Sequence, residues 1–162
     1  MMKFVFIGGT MCGYRLLETL IENDHLPLFA IILREDEHEV EKYSHEMSDL
    51  LINKNIPNSL KRKLSEPDYQ LIKDSDLDFI IISGWRTLIN TEVSRHTRYG
   101  LMGSHYSLLP KYRGFAPVQW AMINGEKETG VTVFRIGEGV VDSGKSFHKK
   151  KSRYYRTKLH GS

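Results

Sequence analysis

The chain of 162 residues has little of what defines a secreted, membrane-spanning or disulfide-linked protein. It has one cysteine, Cys12, so no disulfide can form within the chain and a reducing compartment is expected. Its longest apolar runs, at 4–7, 28–33 and 79–82, are far shorter than the ~20 residues that a membrane-spanning helix needs. No basic segment precedes the first apolar run, as a secretory signal would require. We therefore expect a cytoplasmic protein with no membrane partner.

Acidic residues are absent from the end of the chain. Residues 145–162 contain seven Lys or Arg and no Asp or Glu. Subtracting these seven from the 23 basic residues leaves 16 against 20 acidic residues over 1–144, although the whole chain carries a net charge of +3. A basic tail on an acidic body is not a basic binding face, so we expect no nucleic-acid partner.

Apolar runs alternate with helical patterns along the first half of the chain. Strands are predicted at 3–9, 28–33 and 77–83, with a weaker one beginning at Ile56-Pro57. Helices are predicted at two sets of apolar residues with helical spacing and at one capping signal: Leu16, Leu17, Leu20 and Ile21; Val40, Tyr43, Met47, Leu50 and Leu51; and Ser65-Glu66-Pro67-Asp68. This alternation predicts an α/β fold, a Rossmann-like, mostly parallel sheet with helices on both faces.

Ligands of such sheets bind beyond the carboxyl ends of the strands, where the turn 8–13 lies. Its N–H groups open a helix and can hold a phosphate, which makes Gly9, Thr10 and Met11 candidate substrate-binding residues. The turn is not Gly-x-Gly-x-x-Gly, and Glu35 and Asp36 lie in a charge-rich loop rather than in a ribose-binding context. An NAD(P)H-dependent oxidoreductase is therefore the last-ranked alternative. No His, Cys, Asp or Glu spacing indicates a metal site.

The most informative segment of the chain is 104–114, Ser-His-Tyr-Ser-Leu-Leu-Pro-Lys-Tyr-Arg-Gly. It closely resembles the active-site run of the 10-formyltetrahydrofolate-dependent formyltransferases, written N-x-H-x-S-L-L-P-x-Y-R-G. Two further matches follow in order, Asn-Gly-Glu and Thr-Gly-Val-Thr within 124–132 and Asp-Ser-Gly at 142–144. Gly103 departs from the family pattern, because it stands where the family has its asparagine.

The resemblance implies acyl transfer, which needs a group to accept the amine proton and donors that stabilise the developing oxyanion. It assigns the first task to His105, whose side chain exchanges a proton near neutrality. It assigns to Asp142 the orientation of that ring and the relay of protons through water. In the family the asparagine polarises the formyl oxygen. Here the backbone N–H of Gly103 or the hydroxyl of Ser104 is the candidate, although an extended strand points Ser104 to the opposite face.

The resemblance also implies a pocket for the formyl donor and contacts to the acceptor. The predicted residues of the donor pocket are Trp85, Arg86, Leu88, Ile89, Gly137, Glu138, Gly139, Val140 and Val141. The predicted acceptor residues in the motif are Ser107, Tyr112 and Arg113. We expect Arg113 to be buried and to bind either loop carbonyls or a substrate anion, and Ser107 to shape the loop. Core packing is an equal alternative for the aliphatic members of the pocket.

These observations predict a catalytic domain at 1–145 and a basic, non-native-looking tail at 146–162, in a C-terminally truncated family member. The predicted reaction moves a formyl group from 10-formyltetrahydrofolate to a primary amine, with a nucleotide-linked 4-amino sugar as the first-choice acceptor. The alternatives are an inactive folate- or nucleotide-binding relic and a methionyl-tRNA or glycinamide ribonucleotide formyltransferase. An incomplete sheet would expose an edge or an apolar surface, so a homodimer is expected.

Overall fold

The computed structural model describes residues 2–137 and 144–153. The chain divides into two compact units, unit 1 at 1–103 and unit 2 at 104–162. Among the described residues no helix combines the length and apolar character that crossing a bilayer requires.

Unit 1 alternates strands and helices in the order that the apolar pattern predicts. Its strands are β1 (Phe4–Gly8), β2 (Phe29–Leu33), β3 (Asn58–Lys61), β4 (Phe79–Ser83) and the first part of β5 (Leu101–His105). Its helices are α1 (Thr10–Glu22), α2 (Ser44–Ile52) and α3 (Glu66–Asp74), followed by a 3-10 helix (Thr91–His96).

The strands of unit 1 pair in the order β3-β2-β1-β4-β5, and every pairing is parallel. The chain first moves from β1 outward to β3 and then returns to β4. Because crossovers between parallel strands are right-handed, α1 and α2 cover one face of the sheet and α3 covers the other. The packing agrees, since α1 contacts α2 and α3 contacts the 3-10 helix. The predicted doubly wound, mostly parallel fold is confirmed.

The core of unit 1 follows from its continuous apolar strands. All five residues of β1 and of β2 are buried. Phe6, Ala30 and Ile32 pack against Leu17 and Met47, on the face that α1 and α2 cover. Burial of apolar surface at about 25 cal/mol per Å² is the main driving force for such a layer.

The start of α2 differs from the sequence prediction. Val40, expected on the helix face, lies before the helix and is 99% exposed. The carboxylate of Glu35 accepts hydrogen bonds from the N–H groups of Tyr43 at 2.6 Å and Ser44 at 2.9 Å. It thereby satisfies donors at the start of the helix and begins α2 at Ser44. The charge-rich loop thus contains a buried carboxylate that the sequence pattern did not indicate.

The other predicted signals of unit 1 agree with the structure to within a few residues. The Ser65 signal is a capping box with Asp68 and begins α3. The third strand begins at Asn58, two residues beyond the predicted start at Ile56. His25, His38, His45 and His96, which belong to none of the motifs, are all exposed.

Unit 2 contains the end of β5, α4 (Pro117–Ile123), β6 (Glu128–Arg135) and β7 (Ser146–Arg153). β6 and β7 pair antiparallel, with an irregularity between Val133 and Phe134. Residues 146–153, for which the sequence predicts only a basic tail, therefore form a strand. The pattern did not reveal it because hydrogen bonding to β6 holds this strand, whose described side chains are mostly exposed. The predicted domain boundary at 145 is not otherwise tested and stays a prediction.

Candidate active site

The turn after β1 in unit 1 is built by close backbone approach. The N–H of Gly9 donates to the carbonyl of Ser83 at 3.0 Å, which holds the turn against the end of β4. A Cβ at Gly8 would collide with that same carbonyl, and one at Gly84 would collide with the carbonyl of Gly9. Gly84 also has a φ of 67°, in the left-handed region that favours glycine. Residues with side chains are excluded from both positions.

The predicted phosphate-binding residues begin α1, just after this turn. Gly9 is the N-cap and makes no side-chain capping bond, and the first turn of α1 has no acidic residue. The N-cap therefore supplies no side-chain partner to the first N–H groups of the helix, and the helix dipole favours an anion there. Gly9 is buried, Thr10 is half-buried and Met11 is 50% exposed. Their role in substrate binding stays a prediction.

A cleft of about 310 Å³ opens beside the start of α1. Thr10, Met11 and Cys12 line one side of it, and Glu35, Glu39, Val40, Glu41, Tyr43 and Arg86 line the rest. Arg86 donates to both carboxylate oxygens of Glu39, at 2.6 and 2.5 Å. This bidentate pair, together with the backbone N–H of Asp36, lowers the pKa of Glu39 to about 2. Arg86, predicted in the donor pocket, is thus paired with a carboxylate of unit 1.

Glu35, at the edge of the same cleft, is fully engaged by the protein. Burial raises the pKa of its carboxyl, but hydrogen bonds from the Ser44 side chain and from the N–H groups of Tyr43 and Ser44 outweigh burial and leave the pKa below its usual value. The acid after β2 therefore caps α2.

The remaining predicted donor-pocket residues of unit 1 follow β4. Trp85 is half-buried, and its indole N–H is buried without a hydrogen-bond partner among the described residues. Leu88 is 85% exposed and Ile89 is half-buried. Exposure of Leu88 argues against core packing as its role, and pocket lining by these residues stays a prediction.

Unit 2 presents the motif histidine at the end of β5. Gly103 and His105 are buried and Ser104 between them is not, as expected where successive side chains of a strand point to opposite faces. His105 is 7% exposed, and its Nε2 lies 2.6 Å from the carbonyl oxygen of Tyr112. A carbonyl oxygen only accepts, so Nε2–H is the donor of this bond. The Ser104 hydroxyl lies on the face opposite His105.

The loop after His105 is fixed by side-chain bonds to its backbone. The Ser107 hydroxyl, fully buried, donates to the carbonyl of Lys111 at 2.5 Å, which agrees with its expected loop-shaping role. Thr132 of β6, also fully buried, donates to the carbonyl of Ser107 at 2.7 Å and accepts from the N–H of Leu109 at 3.1 Å. Lys149 of β7 donates to the carbonyl of Leu109 at 2.6 Å. The segment from His105 to Tyr112 is therefore held at several points.

The end of this loop is tied to Glu126. Its carboxylate accepts from Lys111 Nζ at 3.1 Å and from the Tyr112 hydroxyl at 3.0 Å. These two bonds lower the pKa of Glu126, whereas burial and the bond to Glu126 raise the pKa of Tyr112. Arg113, expected to be buried, is exposed, because the chain turns out to solvent after Tyr112. Its binding of a substrate anion stays a prediction.

Several predicted site residues lie outside the described residues: Asp142, Glu138, Gly139, Val140 and Val141. Gly137, the remaining predicted residue of that segment, is described and half-buried. Sequence reasoning missed Thr132 and Lys149 as supports of the loop, and Glu39 as the partner of Arg86. The alternation of β6 could have indicated Thr132 as a buried polar residue. The sequence carries no such signal for Lys149.

The amino-acid sequence is similar to those of known formyltransferases. The family described as Formyl transferase matches residues 2–158. The chain is 31% identical over 157 residues to the methionyl-tRNA formyltransferase of Caldanaerobacter subterraneus subsp. tengcongensis, covering 92% of this chain and 49% of the relative. It is 34% identical over 146 residues to that of Clostridium acetobutylicum, covering 86% of this chain and 46% of the relative. The chain thus spans about half the length of the curated relatives it matches.

Solved structures share the fold at lower sequence identity. The phosphoribosylglycinamide formyltransferase of Anaplasma phagocytophilum matches with a TM-score of 0.74 at 17% identity, covering 96% of this chain and 74% of that one. A sugar 3N-formyl transferase, crystallised in the presence of dTdp and 5-N-formyl-THF, matches with a TM-score of 0.70 at 20% identity, covering 95% and 53%. At these identities the likeness extends to the fold alone.

Proposed function

Because the chain belongs to the formyl transferase family, we propose that it transfers the formyl group of 10-formyltetrahydrofolate to a primary amine. The observation that carries the proposal is the state of His105. The ring is buried, lies in the segment that matches the family's active-site run, and has its Nε2 proton bonded to the Tyr112 carbonyl. A neutral ring with its proton on Nε2 has its lone pair on Nδ1, the atom that a proton acceptor uses.

The residues of this chain then have definite tasks in the reaction. The amine nitrogen bonds to the formyl carbon, whose bond to the donor nitrogen breaks. His105 takes the proton that the amine loses, through Nδ1, and returns a proton to the leaving nitrogen. During this exchange the Tyr112 carbonyl stabilises the charged ring through Nε2–H. Because both ring nitrogens are then engaged, we assign Asp142, outside the described residues, the relay of protons to and from Nδ1 through water. Gly103 has no side chain to polarise the formyl oxygen, so we assign that stabilisation to the His105 imidazolium.

The formyl donor enters as a substrate, and the pocket proposed for it consists of the residues predicted above. The buried indole N–H of Trp85 lacks a protein acceptor among the described residues, and Leu88 offers an exposed apolar side chain. Both properties suit a ligand with a polar ring edge and an apolar face. Binding of a folate analogue, measured by quenching of tryptophan fluorescence, tests this part alone. Wild-type affinity after Leu88→Asp would argue against it.

For the acceptor we propose a nucleotide-linked 4-amino sugar. The start of α1, without an acid in its first turn, suits a phosphate group of such a molecule. The acidic balance of unit 1, 16 acidic against 12 basic residues, gives no support for a large polyanion there. The cytoplasmic location and the homodimer belong to the same proposal. Analytical ultracentrifugation of the purified chain tests the latter.

Methionyl-tRNA is the second candidate acceptor, and two observations favour it. The two relatives at 31% and 34% identity described above are methionyl-tRNA formyltransferases. Unit 2 contains 11 basic and four acidic residues, and residues 146–153, which include three of the lysines, form a strand. The ordered strand weakens the earlier expectation that these charges belong to a tail that binds no nucleic acid.

One assay separates these possibilities. The chain is incubated with 10-formyltetrahydrofolate and, in parallel, a set of nucleotide-linked amino sugars, glycinamide ribonucleotide or charged initiator tRNA, and the formamide product is detected by mass spectrometry. Formylation of the amino sugar supports the first-choice acceptor, and formylation of the tRNA supports the second. Donor binding without transfer to any acceptor would contradict the proposed activity and favour the inactive relic.

A further inference from the structure

Two side chains that face each other across β6 and β7 hold the peptide groups of a single residue, Leu109. Thr132 and Lys149 are directly paired in the register of the two strands. Thr132 accepts from the N–H of Leu109 at 3.1 Å, and Lys149 donates to its carbonyl at 2.6 Å. We call these two bonds the Leu109 clamp.

The Thr132 side of the clamp lies out of solvent, whereas Lys149 reaches the Leu109 carbonyl from an exposed position. Thr132 is fully buried and Leu109 is 5% exposed. Losing either partner would leave a poorly solvated backbone group without its bond, and the cost of that exceeds the net worth of an ordinary hydrogen bond. The bond from Lys149 is also charge-assisted, since an ammonium group is the donor.

The clamp is connected to His105 through a short path of hydrogen bonds. The Thr132 hydroxyl that accepts from Leu109 also donates to the carbonyl of Ser107. Ser107 in turn binds the carbonyl of Lys111. The next carbonyl, that of Tyr112, meets Nε2 of His105. A loop anchored at Ser107 and Leu109 therefore presents the carbonyl oxygen that meets Nε2 and favours a proton there.

We propose that Thr132 and Lys149 are positioning residues for His105, which they keep in its Nε2–H tautomer by holding the loop through Leu109. The proposal rests on the proposed function in one respect only, the acceptance of the amine proton by Nδ1. It goes beyond that function by giving a residue of β7, in a segment that the sequence shows as a basic tail, a place in the site.

A competing explanation treats Lys149 as one of several cations that keep a sheet strand soluble. The chain offers a matched control for it. Lys150 is the next residue and is exposed. Its ammonium group has no hydrogen-bond or ion-pair partner among the residues of 2–137 and 144–153. Its neighbour Lys151 is ion-paired with Glu128 and is the less suitable control. Thr129 provides the corresponding control for Thr132 on β6.

The test compares Lys149→Met and Thr132→Val with the controls Lys150→Met and Thr129→Val in the full chain. Nitrogen-15 NMR of the histidine rings, assigned by difference from His105→Gln, reports the tautomer without any need for catalysis. Amide hydrogen exchange reports the N–H of Leu109. We expect both clamp variants to lose the single Nε2–H form of His105 and to exchange the Leu109 amide about five- to tenfold faster, the scale set by one hydrogen bond. The two controls should match the wild type.

Conservative variants complete the design. Lys149→Arg and Thr132→Ser retain a donor or hydroxyl and should restore both signals. If Thr132→Val fails to fold, the comparison of Lys149→Met with its control Lys150→Met tests the proposal alone. A Lys149→Met protein with wild-type His105 signals and wild-type Leu109 exchange overturns the proposal. Formyl transfer does not enter either readout, so loss of the proposed activity and loss of the clamp are separate results.

Discussion

The two units of the chain are held together by different kinds of interaction. Of the 24 buried hydrophobic residues among the described residues, 21 lie in unit 1 and three, Leu109, Ala121 and Phe134, lie in unit 2. Unit 2 buries as many polar residues as hydrophobic ones, namely His105, Ser107 and Thr132, each with a hydrogen bond to a backbone group. Unit 1 buries only four polar residues beside its 21 hydrophobic ones. Unit 1 is therefore stabilised chiefly by an apolar core, whereas the geometry of unit 2 depends on specific polar contacts.

The two units also differ in net charge. Unit 1 has 12 basic and 16 acidic residues, which gives a net charge of −4, and unit 2 has 11 and four, which gives +7. The two residues predicted to transfer protons, His105 and Asp142, both belong to unit 2. A substitution should thus affect stability most in unit 1 and activity most in unit 2.

The largest expected effect is on activity. It is tested by replacing one histidine with glutamine in each unit. His105→Gln should lower the rate of formyl transfer by about 10²–10⁴-fold, because the proton acceptor is lost. His45→Gln, an exposed histidine on α2 of unit 1, should leave the rate unchanged. Steady-state kinetics with the acceptor that the assay above identifies measures both. Equal rates for the two variants would break the assignment of the chemistry to unit 2.

The largest expected effect on stability lies in unit 1. Leu17→Ala should destabilise the chain by about 2–5 kcal/mol, since the side chain is fully buried between α1 and the sheet and leaves a cavity. Leu71→Ala on α3, where the side chain is 50% exposed, should cost about 1 kcal/mol or less. Urea unfolding followed by circular dichroism gives the two values. A cost below 1 kcal/mol at Leu17 would contradict an apolar core as the main support of unit 1.

A smaller effect is expected from the polar contacts of unit 2. Ser107→Ala removes the hydroxyl that binds the Lys111 carbonyl and should cost about 1–3 kcal/mol, the penalty for a buried group left without its partner. Ser152→Ala, at an exposed position of β7, is the matched control and should be neutral. The same unfolding measurement applies. A neutral Ser107→Ala would show that the loop tolerates the loss of this bond.

The smallest effect concerns the ion pair between Arg86 and Glu39. The folded-state pKa of Glu39 is about 2, below its usual 4.5, so the pair stabilises the protein above pH 4.5 and this contribution is lost as the pH falls from 4.5 through 2. Because both side chains are partly exposed, we expect about 1 kcal/mol or less. The stability difference between wild type and Glu39→Gln should therefore close over that pH range. A difference that persists at pH 2 would point to lost packing instead.

How much the sequence predicts also separates the units. The strands and helices of unit 1 were predictable, because continuous apolar runs such as 29–33 and helical spacing such as Leu17 to Ile21 are local signals. The displaced start of α2 was not, since it depends on a carboxylate that caps a helix nine residues further on. A sequence pattern therefore predicts features that depend on neighbouring residues, and it misses those that depend on a residue several positions away.

In unit 2 the motif identified His105, but not the contacts that hold it. Thr132 binds Ser107 across 25 residues and Lys149 binds Leu109 across 40. Contacts between residues so far apart in the sequence produce no periodic pattern of apolar residues. In addition, the residues of β7 have the composition of a disordered segment. The buried state expected for Arg113 was wrong for a related reason: a motif specifies residue types but not which of them the chain turns toward solvent.

The register that sets Lys149 opposite Thr132 also has a consequence for biosynthesis. A ribosome completes the apolar core of unit 1 long before it adds Lys149, so a nascent chain can fold its first hundred residues while the loop after His105 still lacks one of its anchors. Proteolysis or premature termination just before β7 would release a protein with an intact sheet in unit 1 and an unaligned imidazole.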